Sequence, residues 1–278
     1  MIVSVASGKG GTGKTTVATN LALSIGKAQL IDCDVEEPNA NVFLRAKLDE
    51  REDVAVDIPE IDDEKCDYCG KCAEFCRYNA LAVLPSKVLV FPELCHSCGG
   101  CELVCPRGAI SWRKEIIGKI EHGRAGDMDF YHGLLNVGEM KTISLLKALK
   151  KKVDSGMDVI LDAPPGTSCP VIETVSGSDY CILVTEPTPF GLHDLKLAVD
   201  VIRKMGIPFG VIINRDGVGD ENVERYCKEN GIDVIMKIPH SREIAYLYSK
   251  GIPFTEEMPE WREKFRNLFN RIIEEVGK

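Results

Sequence analysis

The sequence predicts an α/β fold with a mainly parallel sheet, interrupted by a small α+β insert, on three observations. Short apolar runs alternate with amphipathic segments: IVSVAS precedes GKTTVATNLALSIG, and DVILDAPP, CILVTEP and FGVIINR follow, with LHDLKLAVDVIRKM between the last two. Strand-like runs alternating with helical periodicity are the rhythm of a parallel sheet. That rhythm breaks from about Ile58 to about Arg113 and resumes near Val137. Within the break the chain repeats itself at a shift of 29 positions, which carries Cys66, Cys69, Cys72 and Cys76 onto Cys95, Cys98, Cys101 and Cys105, Gly70 onto Gly99 and Ala80 onto Ala109. The repeat indicates a pseudosymmetric module, and its position places it inside the main domain, as a surface loop permits at modest entropic cost. The expected boundaries are 1–57 and 114–278 for the two parts of the main domain and 58–113 for the insert.

Composition narrows the function. With 278 residues, 44% of them hydrophobic, the chain can build a sizeable core. A formal net charge of -9 and the lack of a Lys/Arg run argue against nucleic acid as a partner. No apolar stretch approaches the roughly 20 residues of a membrane span, so no stable membrane insertion is expected. Met1 leads straight into a strand-like run rather than a basic, apolar leader, which points to the cytoplasm. Of the 12 cysteines, the eight of the repeat have metal-ligand spacing within a full-sized chain, so they read as ligands rather than disulfides. Near the end, WREKFRNLFNRIIEEV puts Trp261, Phe265, Leu268, Phe269, Ile272, Ile273 and Val276 on one helical face. Its mixed charges favour a helix docked on the domain over a membrane-surface helix.

Residues Gly8 to Thr15, GKGGTGKT, match GxxxxGK[ST] after a strand and before a helix. In that context Gly8, Gly10, Gly11 and Gly13, with Thr12 and Thr16, let backbone N–H groups close around phosphate oxygens at a helix N-terminus. Lys14 is then expected at the β and γ phosphates and the Thr15 hydroxyl on Mg²⁺. Lys9 is extra to the pattern, and read alone it is a solvated loop lysine. The form KGGTGKT resembles the deviant phosphate loop of the MinD, ParA, Mrp and nitrogenase iron-protein group of ATPases.

That resemblance implies an ATP/ADP site and a homodimer formed through the nucleotide face, with Lys9 reaching the partner's nucleotide. It implies roles for two carboxylate motifs. In LIDCDVEEPNANVF, Asp32 would hold a Mg²⁺ water and Asp34 would position the attacking water; in VILDAPPGTSCP, Asp162 would face Mg²⁺ and Gly166 would offer its N–H to the γ-phosphate. Alone, either aspartate could be a strand-end cap. A guanine-reading NKxD motif needs an aspartate where this chain has Gly217, three places after Asn214, so adenine is expected. By resemblance, Asn214 contacts the base edge and Pro239 lies on its other side.

The cysteines give CxxCxxCxxxC twice, the second run ending in Pro106. The pattern resembles bacterial two-cluster ferredoxins, in which the fourth cysteine of each run ligates the other cluster. The resemblance implies one [4Fe–4S] cluster on Cys66, Cys69, Cys72 and Cys105, and a second on Cys95, Cys98, Cys101 and Cys76. Arg77 stands where that pattern has proline after Cys76. Zinc is the rival, but two CxxC pairs would complete a zinc site and leave the third cysteine of each run unexplained. Cys33 and Cys181 read as core residues, Cys227 as a helix residue, Cys169 as a packed thiol or a redox candidate, and His96 as a loop residue.

As a whole the chain resembles a MinD-type ATPase carrying a ferredoxin module. Three outputs are open: nucleotide-gated electron transfer to an unidentified partner, which is favoured; delivery of clusters to an apoprotein; and a positioning ATPase, which net acidity disfavours.

Overall fold

The structure is a computed structural model and describes residues 1–277. Its strands are β1 (Ile2–Ala6), β2 (Ala28–Asp32), β3 (Lys47–Ile61), β4 (Leu81–Leu84), β5 (Lys87–Val90), β6 (Ile110–Ala125), β7 (Met128–Leu135), β8 (Asp158–Asp162), β9 (Tyr180–Thr185), β10 (Phe209–Asp216) and β11 (Val234–Pro239). The chain forms two compact units. Among the described residues the first comprises 1–51, 120–134 and 146–277, and the second 52–119 and 135–145.

In the first unit the sheet runs β11-β10-β9-β1-β8-β2-β7, with the start of β3 and the end of β6 beyond β7. The pairs β10–β11, β9–β10, β1–β9, β1–β8, β2–β8 and β2–β7 are all parallel. Parallel strands need both faces covered, which is why the central ones are almost wholly buried and mostly apolar. On one face Leu30, Phe130 and Ile160 pack with Leu21 of the helix Lys14–Ile25 and Phe265 and Ile272 of the helix Pro259–Val276. On the other, Ala163, Leu183 and Ile213 meet Val171, Leu195 and Ile202 from the helices Cys169–Val175 and Pro189–Met205. The terminal helix is therefore docked, with Phe265 fully buried. Thr188 starts the helix Pro189–Met205 by accepting the Gly191 N–H at 3.0 Å, and Gly206 ends it in the left-handed region. Among the described residues no helix is long and apolar enough to cross a membrane.

The strand edge at the carboxyl ends is where function collects in such sheets. β1 runs into the glycine-rich loop, β2 and β8 end in Asp32 and Asp162, and β9 runs into Glu186. The sequence offered no strand for 47–53, a charged and exposed stretch; period-two burial begins only at Val54, Val56 and Ile58. Charge of this kind blunts an exposed strand edge.

The second unit contains the cysteine repeat, the β4–β5 hairpin and two short helices, Lys71–Phe75 and Gly100–Leu103. Its backbone follows the repeat. Tyr68 and Ser97 (φ 55 and 53), Gly70 and Gly99 (φ 82 and 77), and Asn79 and Gly108 (φ 55 and 57) adopt the left-handed region in matched pairs. Its small core gathers Leu81, Val88 and Ile110 around the cysteines.

Candidate functional site: a phosphate loop and two four-cysteine recesses

The loop between β1 and the helix Lys14–Ile25 turns through Gly11 and Gly13, at φ 79 and 90. Gly13 is required twice over: its φ is left-handed, and a Cβ there would stand 2.2 Å from Asn214 Nδ2. The loop opens on a cleft of about 620 Å³ lined by Lys9 to Thr16, Asp34, Pro165, Asn214 and Pro239. That volume suits a small-molecule ligand, for which roughly 300–1,000 Å³ is usual.

Lys14 is buried, and its Nζ donates to Asp162 Oδ1 at 2.7 Å and to Thr15 Oγ1 at 3.4 Å. Burial alone would lower its pKa, but the charge and hydrogen bond of Asp162 outweigh that and raise it, so Lys14 is firmly a cation. Asp162 is fully buried, and among the described residues neither its Oδ2 nor the buried Thr12 hydroxyl has a hydrogen-bond partner. Orphaned buried oxygens of this kind fit a site that accepts a cation and its bound phosphate.

Asp32 sits beneath this cleft rather than in its wall. Its Oδ1 accepts the Asp34 N–H at 3.0 Å, and its Oδ2 accepts those of Asn39 and Ala40, each at 2.9 Å. Asp32 thus braces the loop after β2. Burial and the neighbouring Asp162 raise its pKa, against the pull of the Ala40 N–H and Lys14. Asp34 lines the cleft, and burial raises its pKa as well.

Two expected contacts take a different form here. Gly166, at φ 96, donates its N–H to the Ser7 carbonyl at 2.9 Å rather than into the cleft. Asn214 donates from Nδ2 to the Thr12 carbonyl at 2.8 Å and accepts the Arg215 N–H at 2.9 Å. It braces the phosphate loop while it lines the cleft.

Sequence reasoning missed Glu186. It forms an ion pair with Lys9, accepts from Arg215 Nη1 at 3.1 Å and from Thr188 Oγ1 at 3.3 Å, and is half-hidden beside the loop. Against the upward pull of burial, Lys9 and Arg215 hold its carboxyl below the usual range. The available signal was that Glu186 follows the apolar run CILVT as Asp162 follows VIL; nothing local couples it to a lysine 177 positions away.

In the second unit the cysteines line two recesses. One is lined by Cys66, Cys69, Cys72 and Cys105, the other by Cys76, Cys95, Cys98 and Cys101. Each combines three thiols of one run with the fourth of the other. Backbone N–H groups point at the sulfurs: Ala80 to Cys76 at 3.4 Å, Ala109 to Cys105 at 3.3 Å and Ser97 to Cys95 at 3.4 Å. Such donors favour thiolates. Burial raises the Cys72 and Cys95 thiols and pushes Cys101 up to about 11. Among the described residues no three Cys, His, Asp or Glu side chains are gathered closely enough to hold a single metal ion. Asp67 and Arg107 pair across the first recess, and Tyr78 and His96 stack across the second. Cys33, Cys181 and Cys227 are buried, and Cys169 is exposed at the start of its helix.

The family model described as "CbiA: CobQ/CobB/MinD/ParA nucleotide binding domain" matches residues 3–254. The chain belongs to this family. Among relatives, an uncharacterized protein of Methanocaldococcus jannaschii is 33% identical over 284 residues, covering 100% of this chain and 96% of its own. An iron-sulfur cluster carrier protein of Pyrococcus abyssi is 24% identical over 301 residues, covering 99% and 88%. Among solved structures, the septum site-determining protein MinD of Pyrococcus horikoshii OT3, complexed with Mg-ADP, has a TM-score of 0.58 at 21% identity, covering 100% of this chain and 96% of that one. This last likeness is one of fold. The matched family is described as a nucleotide binding domain, and the matched span includes the loop and cleft around Lys14.

Proposed function

We propose that this chain is an ATP-hydrolysing iron–sulfur protein, acting in the cytoplasm, in which nucleotide state governs two [4Fe–4S] clusters held by the cysteine repeat. The observation that carries the reading is the crossed lining of the two recesses, three thiols from one run and one from the other. Cys66, Cys69, Cys72 and Cys105 would hold one cluster and Cys95, Cys98, Cys101 and Cys76 the other. When bound, such clusters supply one-electron chemistry at low potential. Binding iron would require the thiols to give up their protons.

In the first unit, backbone N–H groups of Gly10 to Lys14 would cradle the phosphates of ATP. Lys14 would turn from Asp162 to the β and γ phosphates, which leaves Asp162 and the Thr15 hydroxyl to face Mg²⁺. Asp32, occupied by three N–H groups, would act by holding the loop that carries Asp34, and Asp34 would orient the attacking water. Gly166 would release the Ser7 carbonyl to meet the γ-phosphate. Asn214 and Pro239 would flank adenine. Lys9 would leave Glu186 to serve the partner's nucleotide in a homodimer.

The favoured output is gated electron transfer to a redox partner, because all eight ligands are present for resident clusters. A second reading, cluster delivery to an apoprotein, is supported by relatives named iron-sulfur cluster carrier proteins. The test follows anaerobically reduced protein with a soluble electron acceptor and with an apo-ferredoxin, with and without MgATP. Gating is expected to accelerate electron transfer while the iron stays on this chain. Iron appearing in the acceptor protein on ATP addition would favour delivery, and no effect of MgATP on either would contradict both.

A further inference from the structure

We propose that the cluster site completed by Cys105 is the salt-labile one of the two, its fourth ligand being clamped by an exposed ion pair where the other site's is clamped by an aromatic stack. This rests on the proposed function, since it concerns how the chain holds the two clusters. The sequence repeat places the four clamp residues at equivalent positions: Asp67 and His96 each follow the first cysteine of a run, and Tyr78 and Arg107 each stand two places after the fourth. The backbone keeps the symmetry, including matched N–H bonds to Cys76 and Cys105. The side chains break it.

At the first site Asp67 Oδ2 accepts from Arg107 Nε at 3.1 Å, while its Oδ1 accepts the Cys69 N–H at 3.3 Å. The carboxylate thereby ties the run that supplies Cys66, Cys69 and Cys72 to the segment that carries Cys105. At the second site the same tie, from the Cys95 run to the Cys76 segment, is a ring stack of Tyr78 on His96 with centroids 3.6 Å apart and planes at 16°. In each case the clamp acts on the one thiol that comes from the other run.

The two clamps differ in physics. The Asp67 and Arg107 side chains are 38% and 60% exposed, so water and salt screen their attraction. The ring stack is also exposed, Tyr78 at 47%, but it is held by dispersion between the two rings, which salt does not screen. Thermal opening at the Cys105 segment therefore comes first and grows with ionic strength.

The test uses the full chain, purified without oxygen, and a ferrous chelator, bathophenanthroline disulfonate, to draw out iron at low and high NaCl. Wild type is expected to release about half of its iron in a fast phase whose rate rises with salt and the remainder in a slower, salt-independent phase. Asp67→Asn should quicken the fast phase about two- to fivefold and remove its salt dependence. Tyr78→Leu should quicken the slow phase alone. Reversing the pair, Asp67→Arg with Arg107→Asp, should bring back the salt dependence that Asp67→Asn removes, though not the full wild-type rate, because arginine cannot accept the Cys69 N–H. A merely structural role would not restore the salt dependence. Release in one salt-independent phase, or Asp67→Asn changing both phases equally, would overturn this inference and leave the proposed function standing. Iron-free starting material would overturn both.

Discussion

Lys9 of the phosphate loop is held by Oε1 of Glu186, the carboxylate that follows β9, and Arg215 binds the other oxygen, Oε2. An ion pair within the chain is the resting partner of the lysine that the proposed dimer needs elsewhere. Glu186→Gln is expected to free Lys9 and raise the ATP-driven dimer fraction in sedimentation velocity. Lys9→Ala should keep nucleotide binding and lose hydrolysis and dimerisation. Equal ATPase rates in wild type and Lys9→Ala would remove the role given to Lys9.

Lys14 and Asp162 are both buried, at 8% and 0% side-chain exposure, so removing one partner strands the other. Lys14→Met should abolish nucleotide binding by calorimetry and lower the stability to urea by about 3–5 kcal/mol, the usual cost of an uncompensated buried charge. A Lys14→Met protein as stable as wild type would show that the Lys14–Asp162 pair contributes nothing to the fold.

On the β6–β7 side of the first unit, His122 Nε2 lies 2.7 Å from Asp129 Oδ1 and Nδ1 lies 3.2 Å from Glu50 Oε2. Burial pulls the imidazole pKa down, but Asp129 and Glu50 outweigh it and raise it. A raised histidine contributes stability that is whole below its ordinary value of about 6.5 and is lost as pH climbs through the raised folded value. Wild type should therefore lose Tm between pH 6 and 9 more steeply than His122→Gln. Parallel Tm profiles would contradict this.

The terminal helix Pro259–Val276 buries Phe265 completely against the sheet. Phe265→Ala should cost about 3–5 kcal/mol in urea denaturation. A loss below about 1 kcal/mol would mean that the helix contributes little to the core.

Much of this was legible in the sequence because the signals are local. GKGGTGKT, the apolar runs ending in Asp32 and Asp162, and the 29-residue cysteine repeat each carry their meaning within a few turns of chain. The terminal helix was legible from its apolar stripe. What escaped was set by tertiary contact. The Lys9–Glu186 pair joins residues 177 apart, and Asp32 meets the N–H groups of Asn39 and Ala40 only once the loop folds back over it. The charged start of β3 hid a strand because neither period two nor β-branched residues mark 47–53. The clamps over the cysteine recesses required the repeat to be read at polar positions as well as at cysteines.

The most direct measurement of the central claim is the iron and acid-labile sulfide content of the chain purified without oxygen, read with its electron paramagnetic resonance after dithionite reduction. About eight iron and eight sulfide per chain, with signals of two interacting [4Fe–4S]⁺ centres, are expected. Replacing Cys105 by Ser should perturb the centre built on the Cys66 run, which the crossed lining requires. Colourless, iron-free protein, or one zinc per chain in place of iron, would contradict the account.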